Sequence, residues 1–446
     1  MKWLKGTAIA LGIVLALLAL VPFFVSLDDY IPYIESEASA KLKERVSVRS
    51  LRAAALPYPH VTVNGIAVGD TQDLKVGSVT VVPDLFSLLG AVKTIRSIEI
   101  DELMLSQKAL EKIPLWTKSS GSGAPGQLRV ETIVLNGAVV HLGKSRFGPF
   151  DARIRTNDAG DPREAVISTR DGALKATVKP EQQKYLIDLN AKSWKIPLGP
   201  PLLFDELTIK GVATLENATF NAVNAKLYGG TAKGSAGISW KRSFQLNGRF
   251  DLHQIELREV VPLLSPGNRV SGKLNAKPVL SAKAPNAAQL GGALRIETPF
   301  NVQNGVLYGV DIQKAATSLL TKEPTGGETR FDELSGHLVM ERAAYRFTQL
   351  QIASGGLAAS GNVTISQAKE LSGRINAEVK AAKIAAASVP LNVSGTLQSP
   401  LLLPTGGTVA GAAVGTAILG PGLGTSVGAK VGGWTESLFG GKEEKR

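Results

Sequence analysis

The sequence predicts a mainly β protein: a mostly antiparallel sheet, one N-terminal transmembrane helix and a few short helices. Three observations predict it. One long apolar run stands at the N-terminus. After it the hydrophobic period changes from 3.6 to 2, in short runs bounded by Gly, Asn, Asp or Pro. The composition carries 47 Gly and 23 Pro in 446 residues, which favours short strands and turns over long helices. Apolar residues at 44% and charged residues at 20% exclude wholesale disorder. The chain has no Cys, which excludes disulfides, thiolate zinc sites, iron–sulfur clusters and cysteine nucleophiles.

The apolar run is Gly6 to Val25, preceded by Lys2 and Lys5 and followed by Asp28-Asp29. About 20 residues at 1.5 Å each reach ~30 Å, enough to cross a hydrocarbon core as a helix. Basic residues before it and acidic ones after it place the body outside the cytoplasm. A cleaved signal peptide is the competing reading, but its apolar stretch is normally shorter and ends at a small-x-small site. Here the run ends Val21-Pro-Phe-Phe-Val25, so residues 1–27 read as a retained anchor, held in the membrane through residues 6–25.

Residues 30–45 carry helix-forming, charged residues and predict a short helix leaving the membrane. Strand patterns follow at Val61–Val63, Ser78–Val81, Tyr185–Ala191, Arg249–Leu252, Gly361–Ile365 and Gly373–Val379. Their imperfect alternation suits a sheet with one wet face. Leu85–Gly90, Leu257–Leu264 and Ile312–Leu320 read as helical interruptions. Ser119–Gly126 is a flexible loop by composition, either a boundary between lobes or a long hairpin loop. The organisation expected is thus 1–27 anchor, 28–118 helix and first strands, 119–126 loop, 127–404 main β domain and 405–446 tail. The rhythm of Ile95–Leu103, Val130–Gly137, Phe204–Gly211 and Phe331–Gly336 recurs, as a true repeat or as the common look of strand–turn–strand units.

In the tail, Gly407, Gly411 and Gly415, then Gly420, Gly424, Gly428 and Gly432, are spaced by four. Small residues at that spacing line one helix face and permit close helix contact in a membrane, with Pro421 dividing the tract in two. This Gly-rich tail is either a contact for the outer membrane or an oligomer partner, or a disordered end.

Chemistry is sparse. His60, His141, His253 and His337 are isolated, without an i, i+4 partner. Gly424-Thr-Ser-Val-Gly428 spells a nucleophile elbow, but it lies inside the Gly tract rather than between a strand and a helix. Asp70, Asp73, Asp101 and Glu102 could pair as carboxylates, but nothing in their spacing distinguishes them from solvated turn residues. No cofactor, no metal site and no enzymatic activity are expected. The excess of 50 Lys and Arg over 38 Asp and Glu, net +12, is dispersed and lacks interleaved aromatics. It predicts attraction to anionic headgroups and no nucleic acid.

Several segments in order carry a resemblance. They are the anchor, the helix ending near Arg45-Val46, Pro59–Asp70, Val79–Val81, Leu85–Gly90, Ile95–Ile100 and Leu128–Val139. Further on come Leu227-Tyr-Gly-Gly230 with Gly234, Gly305–Asp311, Phe331–Ile365 and Val389–Pro400. In this order they resemble the AsmA-like family of Gram-negative inner-membrane-anchored periplasmic proteins, over most of residues 1–404. The Gly-rich tail departs from that pattern. The resemblance implies an elongated, curved, mostly antiparallel sheet forming an apolar groove of the bridge-like lipid-transfer type. It also implies phospholipids as cargo, moving between inner and outer membranes.

Alternation picks Phe220, Phe250, Leu252, Leu338, Met340, Phe347, Val363, Ile365, Ile375 and Val379 as groove-facing residues. The second function to weigh is an envelope scaffold that assists outer-membrane protein assembly, with its apolar face packed internally. An envelope hydrolase using Ser426 is the third.

Overall fold

The computed structural model describes residues 27–110, 112, 128–142, 145–197, 200–265, 267, 269–317, 326–381 and 384–405. The anchor 6–25, the loop 119–126 and the Gly-rich tail beyond residue 405, Ser426 included, lie outside the described residues. Among those described, no helix is long and apolar enough to cross a membrane. The described chain falls into two compact units, one within residues 27–192 with 212–214 and the other within 193–211 with 215–405.

The first unit opens with a 3-10 turn at Asp28–Tyr30 and helix α1 (Ile31–Leu42), which ends where Lys43 adopts φ +53°. Strands β1 (Val46–Ser47), β2 (Ser50–Ala54), β3 (His60–Val68), β4 (Leu74–Pro83), β5 (Lys93–Asp101) and β6 (Met104–Leu105) follow. Then come β7 (Leu128–Leu142), β8 (Ser145–Thr156), β9 (Pro162–Thr169), β10 (Leu174–Glu181) and β11 (Lys184–Lys195). Both β1 and β2 pair with β3, and antiparallel ladders run β3–β4–β5 and β7–β8–β9–β10–β11. Strands β5 and β7 pair in parallel, Lys93 opposite Leu128 and Ile98 opposite Ile133. The segments on either side of residues 119–126 therefore share one sheet.

The second unit holds β12 (Leu203–Ala213), β13 (Asn217–Leu227), β14 (Gly230–Ser239), β15 (Phe244–Glu256), helix α2 (Leu257–Leu264), β16 (Val270–Ala276) and β17 (Val279–Ala284). It continues with β18 (Arg295–Tyr308), helix α3 (Ile312–Thr317), β19 (Glu328–Glu341), β20 (Ala344–Ala353) and β21 (Leu357–Ile365). Strands β22 (Leu371–Ala381), β23 (Ile384–Gly395) and β24 (Pro400–Pro404) complete it. All its paired strands are antiparallel. Strands β16 and β17 jointly occupy one place in the sheet, since both pair with β15 on one side and with β18 on the other. Turn chemistry fixes the register. At Tyr228-Gly229 both residues have positive φ, +47° and +71°, as the two-residue hairpin that suits twisted strands requires.

The mainly β expectation and the short helices are thus found. The stretch expected to be helical over 30–45 is helical at Ile31–Leu42, and Leu257–Leu264 matches its expected bounds. Leu85–Gly90 is a 3-10 turn at Phe86–Leu89. The helix expected over 312–320 is described as Ile312–Thr317, its remainder lying outside the described residues.

Candidate functional site

A period-2 strand sends alternate side chains to opposite faces, so the registers decide which residues share a side. In the second unit Phe220 stands opposite Ala236, Ala236 opposite Gly248, and Gly248 opposite Leu280. The row goes on through Ile296, Met340, Tyr345 and Ile365 to Leu371. Phe250 and Leu252 share the face of Gly248 on β15, Leu338 that of Met340, and Phe347 pairs with both Leu338 and Val363. Ile375 and Val379 share the face of Leu371 on β22. The ten residues chosen by alternation therefore lie on one face of one sheet.

Glycines on that face work with the aromatics. Gly234 pairs with Phe250, Gly305 with Phe331 and Gly336 with Phe300. A side chain at Gly305 would run into the Ser271 carbonyl oxygen and the Phe331 ring. The ring lies over the space that glycine leaves, which is why aromatic residues fit a face that also holds backbone glycine.

Among the described residues, the face is covered by a helix at one end and by no further layer at the other. Where β18 ends and β19 begins, α3 buries Ile312, Ala315 and Ala316 against Phe331, Leu334, Ile352, Leu357, Ile375, Ala377, Leu391 and Leu402. Leu391 and Ala377 are 0% exposed. Phe220, Phe250, Leu252, Leu338, Met340, Phe347 and Ile365 are only half-buried, whereas Val363 and Val379 pack against the covered cluster.

The first unit carries a comparable face that alternation in the sequence did not single out. Val63, Val79, Ile100, Leu135 and Ala152 form one cross-strand row, and Val61, Val81, Ile98, Ile133 and Ile154 another. Beyond them Ile167, Ala176 and Leu189 continue the first row, and Ala165, Val178 and Ile187 the second. Most of these are half-buried rather than buried. Segments such as Lys93–Asp101, with Ile95, Ile98 and Ile100 separated by Arg96, Ser97 and Glu99, hide the pattern. A register irregularity between Val82 and Pro83 shifts the alternation there by one residue.

The opposite faces are polar. In the first unit Ser50 accepts from the Asn64 amide (3.2 Å), while Ser78 (2.8 Å) and Asn136 (2.9 Å) both donate to Asp101. Asp73, one of the most buried carboxylates, accepts a 2.6 Å hydrogen bond from Thr71 and faces Lys112 at 3.5 Å. Chiefly the Thr71 hydroxyl, with Lys112 assisting, holds Asp73 below its usual range against the opposing effect of burial. In the second unit Arg295 donates to Glu297 (2.7 Å) and Glu341 (3.3 Å), and the first bond lowers the Glu297 carboxyl. A cleft of about 740 Å³ on the polar side of the first unit is lined by Arg49, Lys75, Asp101 and Glu102 among others.

No convergence of reactive groups accompanies these faces. Among the described residues no three His, Asp or Glu are placed to hold a metal ion. His60 contacts the Tyr58 carbonyl at 2.8 Å, His253 stands 3.1 Å from Asp251 and His337 3.6 Å from Glu297, all toward solvent. What the arrangement can do chemically is sequester apolar matter. Comparison of the chain with family models, with curated proteins and with solved structures finds no match. The class defined by fold and site is an amphipathic β-sheet protein with a partly open apolar face in each unit.

Proposed function

We propose that this chain is an inner-membrane-anchored periplasmic protein of the AsmA-like kind, whose apolar sheet faces carry phospholipid acyl chains between inner and outer membranes. An elongated, curved, apolar groove belongs to this proposal. The observation that carries it is the half-buried state of whole rows of aliphatic side chains in both units, with no second sheet described over them. Uncovered apolar area on that scale marks a binding surface. Each acyl methylene sequestered there gains about 0.8 kcal/mol. Rows of aliphatic side chains without hydrogen-bonding groups give an acyl chain little reason to stop at any one position, as transfer along a groove requires. Headgroups stay in water, where the chain's net charge of +12 favours anionic ones.

The test is photocrosslinking in the full-length protein within its membrane. A photoreactive residue replaces Ile98 or Leu338 on the apolar faces, or Thr80 or Arg346 on the polar ones. Lipid adducts identified by mass spectrometry are expected at Ile98 and Leu338 and absent at Thr80 and Arg346. Equal labelling of both faces, or a purified protein that carries no extractable phospholipid, would overturn the reading.

A further inference from the structure

The loops at one rim of the first unit have a character that the apolar face does not explain. At the rim where β3 begins and β4 ends, two connections project, residues 55–59 and 84–92. The second carries Leu85, Phe86, Leu89, Gly90, Ala91 and Val92, with no charge between Asp84 and Lys93. Phe86 is 86% exposed and Leu89 93%. In the first, Leu56 and Tyr58 are 67% and 60% exposed. Leu128, opposite Lys93 at the start of β7, is exposed at the same rim.

Exposure of this kind is confined. Two further turns end on that rim, at residues 157–161 and 182–183. They present Asp158, Asp161, Gln182 and Gln183, flanked by Glu181 and Lys184. The turn at the other rim between β3 and β4 presents Asp70, Thr71 and Gln72. Among the described connections of the first unit, the most exposed apolar tips lie where β2 to β7 reach this rim, while Tyr185 and Leu186 beside the 182–183 turn are exposed to only 38% and 40%.

The chain's own course says what covers them. Asp28 accepts a hydrogen bond from the Leu51 N–H, Glu35 from Val48 and Ser39 from Val46. Val46 pairs with Val68 at the far rim, whereas Ala54 pairs with His60 at the apolar one. Helix α1 therefore runs away from the apolar rim, and the first described residues lie at its near end. The uncharged segment 6–25 ends two residues before Leu27. At that near end Tyr30 and Tyr33 are exposed, the residue type that collects at a membrane–water boundary.

We infer that the rim formed by loops 55–59 and 84–92 is a membrane-docking edge, with Phe86 and Leu89 buried in the outer leaflet of the same bilayer that holds segment 6–25. This rests on the anchored reading given above and adds to it the point where the first unit's apolar face meets lipid. Convex, uncharged tips bearing Phe, Leu and Tyr beside a Lys have the make-up of interfacial insertion.

The absence of Cys makes the test direct. Full-length Leu89→Cys and Asp70→Cys proteins, each labelled with a polarity-sensitive fluorophore, are reconstituted into phosphatidylethanolamine–phosphatidylglycerol nanodiscs. At position 89 a blue-shifted emission is expected, quenched by acyl-brominated phospholipid and shielded from aqueous iodide. At position 70 the emission should be red-shifted, iodide-accessible and indifferent to brominated lipid. Both sites are exposed, so folding is not at stake. A label at 89 that behaves like the one at 70 overturns the inference, and so does a blue shift without lipid quenching, which signals a second copy of the chain. The crosslinking test at Ile98 and Leu338 reads a different thing: lipid on the faces with a wet rim sinks only the docking edge. A buried rim with lipid-free faces sinks only the carrier.

Discussion

One chemical change made at two places distinguishes an open apolar face from a packed one. Leu391 is 0% exposed and lies under α3, whereas Leu135 is half-buried in the row Ile100–Leu135–Ala152. Truncating Leu391 to Ala removes a fully buried side chain and leaves a cavity that neighbours on β22, β24 and α3 can fill only in part, at a cost of about 2–5 kcal/mol. At Leu135 the side chain is worth roughly half of the 1.5–3 kcal/mol of full burial, and the space opens to the surroundings instead of becoming a void, so the cost is about 1 kcal/mol. A gap of about 2 kcal/mol corresponds to roughly a 30-fold difference in opening equilibrium. Hydrogen exchange by mass spectrometry on the delipidated full-length protein reads it, comparing peptides from β23 in Leu391→Ala with peptides from β7 in Leu135→Ala. Returning phospholipid should then raise the cost of Leu135→Ala and leave that of Leu391→Ala unchanged. Equal costs in the delipidated protein would refute the reasoning, because they mean that another part of the chain already covers Leu135.

Three further outcomes follow from single sites. Gly305→Ala forces a methyl into the Ser271 backbone and the Phe331 ring, and overpacking of that kind costs about 1–3 kcal/mol, measurable as a lowered urea midpoint for the second unit. At the hairpin between β19 and β20, Arg342 and Ala343 hold φ of +49° and +62°. Ala343→Gly relieves that strain and raises stability by roughly 0.5 kcal/mol after the added freedom of the unfolded chain is subtracted. Glu256 caps α2 by accepting from the Arg258 N–H at 3.1 Å, with Gly272 N–H and Lys273 nearby. Burial works to raise its pKa, but these donors together bring it below the ordinary 4.5. A lowered folded value means that its stabilisation is complete above that ordinary value and is lost as pH falls through the folded one. Glu256→Ala should therefore cost about 1 kcal/mol at neutral pH, with the difference from wild type shrinking in acid. A difference that does not change with pH would count against the charged cap.

Alternation made the second unit's face legible because its strands keep a strict period of 2 over the stretches that matter. Phe250 and Leu252 on β15, Leu338 and Met340 on β19, and Val363 and Ile365 on β21 are separated by single residues, and the registers bring the pairs into adjacent rows. The first unit was harder to read for two physical reasons. Its irregularities, between Val82 and Pro83 and again between Leu135 and Ala138, move the apolar phase by a residue. Its parallel β5–β7 pairing joins strands on either side of a long loop, and no local pattern announces such a join. The 3-10 turn at Phe86–Leu89 looked like an ordinary helical interruption. Its exposure depends on where the sheet rims lie, which is tertiary information.

The polar faces bear on how such a surface stays usable. A sheet whose apolar side is left open has little packing to fix its register, and a slip of one residue would turn every aliphatic row outward and carry Asp101, Arg295 or Glu341 onto the apolar side. The cross-strand bonds of Ser50 with Asn64, of Asp101 with Ser78 and Asn136, and of Arg295 with Glu297 and Glu341 supply register information from the wet side. Each exposed contact is worth little by itself. Their value lies in being available only in one alignment. Asp101→Ala, which leaves Ser78 and Asn136 without their shared acceptor, should accordingly affect order more than stability. Exchange in β4, β5 and β7 should quicken while the unfolding midpoint moves by less than about 1 kcal/mol. If exchange in those strands stays at the wild-type rate, register is being set from the apolar side, and the face there is packed more tightly than an open groove allows.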